Sequence, residues 1–400
     1  MKARRPVWKI LGAVAAVLLL GIGLFFAWVQ AVAARRWAAL EKRVPELIAE
    51  ARGRDPRRPV LRGEAVPGNA WTDYGPVVAG AKALPKFDLG EFMARGPKAD
   101  RAKVEAVVAA NEALLDGVRA GARRAEGTYP LHFEKGFAAD IPGLISCHNL
   151  TNLAVCKARF LRETGKEAEA RDLLLDALQF AGDLGRNTLL IAEMISLAQL
   201  GTLFEELKEL PPDPEFARAL AVLDGAFPAH ADSMLNEHAC MAAGLFGMGH
   251  AALADLGETG GMLVAWRYGF SQRLMFVDAV EAHRDLLRRM AETSTLPWGE
   301  LACARREIDA STEASKNPLV RIMVPGLTSS ERAGRERRAQ LRLLRRYHGE
   351  AGPLDDPFGA QLLSDGAKVW SVGPDGVDDA GKGDWRPPKT GDIVLELPKK

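Results

Sequence analysis

The chain is poor in cysteine, with four in 400 residues, too few for a scaffold built on disulfides. Cys147, Cys156, Cys240 and Cys303 form no C-x-x-C pair and no zinc-finger spacing. Cys147 and Cys156 would sit about 13.5 Å apart along one helix axis, too far to bridge. An exported chain could still form two disulfides, whereas buried thiols need no partner. Excess charge of one sign is also lacking. With 53 Lys+Arg against 52 Asp+Glu the formal net charge is +1, so nothing points to a bulk nucleic-acid binder and no nucleic acid is expected as a partner. There is no Gly-rich phosphate loop, G-x-S-x-G elbow, kinase signature set or H-E-x-x-H motif. Gly244, Gly247 and Gly249 follow no predicted strand, so a dinucleotide-binding reading fails on context. Hydrophobic residues at 48% and charged residues at 26% exclude disorder throughout and a multi-span membrane protein, and the length allows two or three domains.

What is present begins at the amino terminus. Residues 10–29 read ILGAVAAVLLLGIGLFFAWV and carry no charge. At 1.5 Å rise per residue they span about 30 Å, the hydrocarbon thickness of a bilayer. Trp8 and Trp28 stand near the two ends, where indoles favour the interface. Lys2, Arg4, Arg5 and Lys9 precede the run. Ala31-Val32-Ala33 has the small-x-small form of a signal-peptidase site, but the run exceeds the usual h-region and Arg35 and Arg36 follow at once. An uncleaved anchor is expected, with the bilayer as a partner through residues 10–29. The basic counts on the two sides are nearly even. A short tail carrying this much charge resists export, so the expected topology is a single pass of a bacterial inner membrane with the bulk of the chain periplasmic.

The expected architecture is mainly α. A basic tail (1–9) and a transmembrane helix (10–29) lead into a stalk helix and Pro-rich linker (30–68). A helical bundle or irregular α-solenoid (69–349) follows, and then a small Gly/Asp-rich β-hairpin module (350–400). The stalk rests on Trp37, Leu40, Val44, Leu47 and Ile48 at three- and four-residue spacings, with Pro45 a possible kink. Periodicity and breakers predict helices over 100–119, 144–164, 167–184, 187–207, 215–227, 228–256, 261–293 and 329–348. Residues 158–184, ARFLRETGKEAEARDLLLDALQFAGDL, resemble one tetratricopeptide-like hairpin, although the 34-residue period does not recur.

The carboxy-terminal segment carries Asp356-Pro357-Phe358-Gly359, then Val369-Trp370-Ser371-Val372-Gly373-Pro374-Asp375-Gly376, then Gly391-Asp392-Ile393. Residues 355–397 resemble the C-terminal region of type II secretion major pseudopilins, which implies a calcium-binding turn. The resemblance covers about a tenth of the chain and does not extend to the amino terminus, which has no prepilin-peptidase signature. Asp375 and Asp392 match the family pattern most directly, while the stretch with Trp385-Arg386-Pro387-Pro388 departs from it. Asp375, Asp378, Asp379, Asp384 and Asp392 put five carboxylates within 18 positions, a donor set that suits Ca2+. Lys382, Arg386 and Lys389 could instead neutralise a solvated acidic turn.

His230 and His238 lie eight apart on one predicted helix face, without metal-ligand spacing. Arg332, Arg335, Arg337, Arg338, Arg342, Arg345 and Arg346 place seven arginines in fifteen positions. This could be an exposed helix paired with acidic neighbours, or a surface for anionic lipid or nucleic acid. No coherent catalytic set is visible. The leading expectation is a membrane-anchored envelope scaffold or binding protein with a protein partner. The alternatives are an envelope hydrolase with its site in the helical domain, and a cytoplasm-facing protein that uses the Arg-rich helix.

Overall fold

A computed structural model describes residues 7–55, 57–84, 101–247, 272–294, 296–315, 317, 320, 327–386 and 390–398. Parts of the helices expected over 228–256 and 261–293 lie outside them. The fold is mainly α, with one long apolar helix at the amino terminus and a small sheet at the carboxy terminus.

Helix α1 (Val7–Arg52) runs 46 residues without a break and takes Pro45 inside it. Its two halves meet different surroundings. Over the apolar half, Leu11, Leu18, Leu19, Leu20, Phe25 and Trp28 are all more than half exposed. Over the second half, Leu40, Val44, Ile48 and Ala51 recur at one face and are buried. They pack into a core with Met234, Phe276, Val277, Val280 and Leu287. Arg36 reaches Asp278 at 2.8 Å and also pairs with Glu281. The stalk is therefore part of the folded domain.

The helical domain continues through α2 (Trp71–Gly80), α3 (Arg101–Ala110), α4 (Glu112–Ala122), α5 (Leu144–Glu163) and α6 (Glu167–Leu184). The single helix expected over 100–119 is two, broken at Asn111, whose φ of −121° leaves the helical region. Helix α6 is the centre of the domain, with Leu173, Leu174, Leu178, Phe180 and Leu184 fully enclosed. Each such side chain contributes about 1.5–3 kcal/mol of burial. Its polar positions Asp176, Gln179 and Asp183 are buried too, because the extended segment before α2 lies antiparallel along them. Arg62 Nη2 donates to Asp176 at 2.7 Å, the Leu61 N–H to Gln179 at 2.9 Å, and Arg58 Nη2 to Asp183 at 2.7 Å. That segment, 53–68, is the stretch expected as a linker or loop. It ends in β1 (Val66–Asn69), which pairs in parallel with β2 (Arg124–Glu126).

Helices α7 (Leu190–Leu207), α8 (Pro214–Gly225), α9 (His230–Gly247), α10 (Gln272–Thr293), α11 (Trp298–Glu313) and α12 (Leu327–Tyr347) complete the domain. Asp213 caps α8 by accepting from the Glu215 N–H at 2.8 Å, with Pro214 at the first helical position. The Arg-rich α12 packs between α7 and α8 on one side and the terminal sheet on the other, with Leu341, Leu343 and Leu344 fully buried. The sheet holds four strands rather than a lone hairpin, in the order β3 (Leu363–Ser364), β4 (Lys368–Ser371), β6 (Asp392–Glu396) and β5 (Gly383–Asp384). The pair β4–β6 is antiparallel, with Trp370 opposite Val394, and β5 runs parallel to β6. Phe358, Val369, Trp385, Ile393 and Leu395 join the same apolar core as α5, α6 and α7.

Candidate functional site

The acidic turns of the carboxy-terminal segment fold around backbone N–H groups. Asp375 Oδ1 accepts from Val377 at 3.1 Å and its Oδ2 from Gly391 at 2.7 Å. Asp378 Oδ1 accepts from the Trp370 indole at 3.0 Å and from the Ala380 N–H at 2.8 Å. Asp392 is buried, and its two oxygens accept from Asp379 at 3.4 Å and Gly381 at 2.8 Å. Burial pushes the Asp392 carboxyl up, its N–H donors oppose that, and the charges of Asp378 and Asp379 add to it. Asp384 is exposed on β5. Among the described residues no three His, Cys, Asp or Glu side chains are grouped to hold a metal ion; Asp375, Asp378 and Asp392 serve as turn caps. Asp356, from the D-P-F-G segment, is the buried hub. It accepts from Phe358 N at 2.9 Å, Ser371 Oγ at 2.7 Å and Val372 N at 2.9 Å.

The largest described cleft lies elsewhere, where four helices begin. It encloses about 520 Å³ and is lined by Glu193 from α7, His230 from α9, Trp298 from α11 and Arg335, Arg338 and Arg342 from α12. Residues from the first turns of α7 and α9 and the first residue of α11 border it. Helix α12 begins at Leu327 and brings Glu331 to the same lining.

Neighbouring contacts fix these ends. The Asn236 amide donates to Thr188 O at 3.1 Å, and the Leu190 N–H donates to Glu237 at 3.3 Å, which binds α9 to the start of α7. Arg54, just past the stalk, donates to Asp232 O at 2.9 Å and to Asn236 Oδ1 at 3.0 Å.

Inside this frame His230 lies between two side chains. Its Nδ1 is 2.9 Å and 3.1 Å from the two Glu193 oxygens, and its Nε2 is 3.1 Å from Ser330 Oγ. Glu193 and Ser330 are buried and His230 is partly open to the cleft. The tautomer with its proton on Nδ1 satisfies both contacts, Nδ1–H donating to a Glu193 oxygen and Nε2 accepting from the serine hydroxyl.

The wall is cationic and braced. Arg335 donates to the carbonyls of Pro357, Ser294 and Leu296 at 2.8–3.0 Å and lies over the Trp298 ring. Arg338 and Arg342 share Asp224, at 2.7 Å and 2.8 Å, and Arg345 pairs with it as well. Arg338 keeps 41% of its side chain exposed. The seven arginines are thus mostly drawn into the fold. Arg337 donates to Leu197 O at 3.0 Å, and Arg346 to Gly352 O at 2.7 Å.

The remaining histidine pair of the sequence is split by the structure. His238 meets His283 of α10 at 3.2 Å between Nδ1 atoms and has no contact with His230. Cys147, Cys156, Cys240 and Cys303 are all free thiols, three of them buried. Sequence reading missed the cleft because Glu193 and Ser330 stand 37 and 100 positions from His230, and no linear pattern links them. No protein family, curated protein or solved structure matches this chain.

Proposed function

We propose that the chain is a single-pass protein of the bacterial inner membrane, amino terminus inside and bulk periplasmic, that acts as a binding or scaffold component of the envelope. The observation that carries this reading is α1. An 18-residue stretch of mean hydropathy 2.4 has no buried residue, and the same helix then embeds in the domain. A row of exposed Leu, Val and Phe is costly in water and is relieved by lipid. The stalk's ion pairs and buried face would hold the domain at a fixed height over the bilayer.

The partner is proposed to offer an anionic group to the cleft. Arg338, which lines the cleft and keeps an exposed edge, supports that chemistry. A reporter fused to the carboxy terminus tests the topology: periplasmic activity is expected, and activity of a cytoplasm-only reporter overturns it. Co-purification from detergent tests the binding role. An envelope partner retained by the native chain and lost with Arg338→Glu supports it, and recovery of no partner counts against it.

A second reading rests on the mutual repulsion of Asp378, Asp379 and Asp392, which a calcium ion would relieve. A melting temperature of the intact chain that falls on adding chelator supports it, and an unchanged curve overturns it.

A further inference from the structure

We propose that Ser330, His230 and Glu193 form a nucleophile, base and positioning carboxylate, making the cleft a hydrolytic site for acyl esters that carry an anionic group. The proposal goes beyond binding but shares the cleft with it. Three residues from three helices meet with the connectivity of an activated serine. The carboxylate holds Nδ1–H at 2.9 Å, and Nε2 faces the serine oxygen at 3.1 Å. Nucleophile and base within hydrogen-bond reach, with the base oriented by a third group, is the arrangement that activates a hydroxyl.

Two structural features favour chemistry over simple bracing. The imidazole is part of the lining of an open cleft of about 520 Å³, so a substrate can reach it. The three groups also sit in the first turns of α7, α9 and α12. Backbone N–H groups at helix starts are suited to stabilising a developing oxyanion. Ser330 is 3% exposed and stands behind the cleft lining, next to Glu331, so the reacting acyl group must be slim and enter beside His230.

The steps balance as follows. Ser330 Oγ bonds to the ester carbonyl carbon as its proton passes to His230 Nε2, and the carbonyl oxygen takes the negative charge. The oxyanion collapses, the C–O bond to the alcohol breaks, and the imidazolium returns its proton to the departing oxygen. Water then attacks the acyl-serine, again losing a proton to Nε2. The carboxylic acid leaves and Ser330 is restored. Glu193 keeps its charge throughout and stabilises the imidazolium. Arg338 and Arg342 would hold the anionic end of the substrate.

The test is reaction of the intact, detergent-solubilised chain with a fluorophosphonate probe, followed by peptide mapping. One adduct is expected, on Ser330. No adduct on a folded chain, or labelling elsewhere with Ser330 untouched, overturns the proposal, and neither outcome depends on any variant folding. His230→Gln should slow labelling about 100-fold or more, and Glu193→Gln about 10-fold or more. Glu193→Asp should recover part of the loss, and Glu193→Gln should move the pH profile of labelling. A purely structural Glu193 would leave that profile in place, which overturns its positioning role. Ser330→Ala separates the two readings. It should abolish labelling at that position while the partner is still captured in the binding assay.

Discussion

Arg58 and Asp183 form an ion pair enclosed on all sides, with the Arg58 Nε 2.5 Å from an Asp183 oxygen and both side chains at 1% exposure or less. Tyr74 adds its hydroxyl at 3.0 Å and Gln179 its amide at 3.1 Å. The pair holds the extended segment before α2 against the middle of α6. Removing one member leaves the other charge buried without compensation. Asp183→Asn is therefore expected to cost about 3–5 kcal/mol in chemical denaturation. Its effect on pH dependence has a definite sign. Burial, outweighing Arg58, raises the Asp183 carboxyl from 3.8 to about 6. The folded state thus binds this proton more tightly, so the contribution is full below about pH 4 and is lost as pH rises to about 6. In Asp183→Asn that downward slope should vanish from the stability–pH curve.

Gly121 faces Tyr74 so closely that an added Cβ would stand 2.2 Å from the ring. Tyr74 is fully buried and tied to Asp183, so it has little room to retreat. Gly121→Ala should destabilise the domain by about 1–3 kcal/mol through overpacking, whereas exposed Gly165→Asn, with open space around it at φ of +74°, should cost far less. Comparing their melting temperatures checks both.

How much of this was legible in the sequence depends on range. The apolar run, the continuous stalk and α6 from Glu167 to Leu184 follow from local periodicity, which is what a linear reading captures. The break at Asn111 was not legible, since nothing in that stretch interrupts the apolar spacing. The short strands β1 and β2 were hidden because their pairing joins Val66 to Arg124. Arg58 and Arg62 stand in the stretch expected as a linker or loop, and the buried Asp176–Gln179–Asp183 stripe explains them. The Arg-rich α12 likewise looked like a charged surface, but its guanidiniums serve as hydrogen-bond donors to carbonyls and to Asp224. The acidic terminal turns were visible as residues, yet their role as N–H caps is set by turn geometry. The cleft was the least legible of all, because it depends on where three separate helices begin.

Asp224 is the anchor of that cationic wall. Burial would push its carboxyl up, but Arg342 and Arg338 hold it below the usual range. Its contribution is therefore present above about pH 4 and is lost only in acid. Asp224→Asn removes the carboxylate that three guanidiniums share at the α8–α12 contact. The expected loss is about 2–3 kcal/mol, less than for a fully enclosed pair because Arg338 is half open to water. The loss should appear at neutral pH and shrink in strong acid.

The His238–His283 pair links the stalk's core to acid. One ring must donate its Nδ1 proton and the other accept it, which requires at least one neutral imidazole. Burial lowers His238 to about 4, with Arg284 and Arg43 adding to the effect. Burial and the neighbouring His238 lower His283 to about 3. An unfolded histidine titrates near 6.5, so the unfolded chain takes up protons first as pH falls. Stability from this pair is full above about pH 6.5 and is lost progressively down to about pH 3. The pair bridges α9 and α10, whose Ala239, Cys240, Val280 and Leu287 share a core with Val44 and Ile48 of α1. Acid should therefore loosen the stalk contact before the α5–α6–α7 core. Hydrogen exchange at pH 5 should show faster exchange in α9, α10 and residues 40–52 than in α6. His283→Phe should remove most of that pH dependence, and equal exchange in both regions at pH 5 would contradict the assignment.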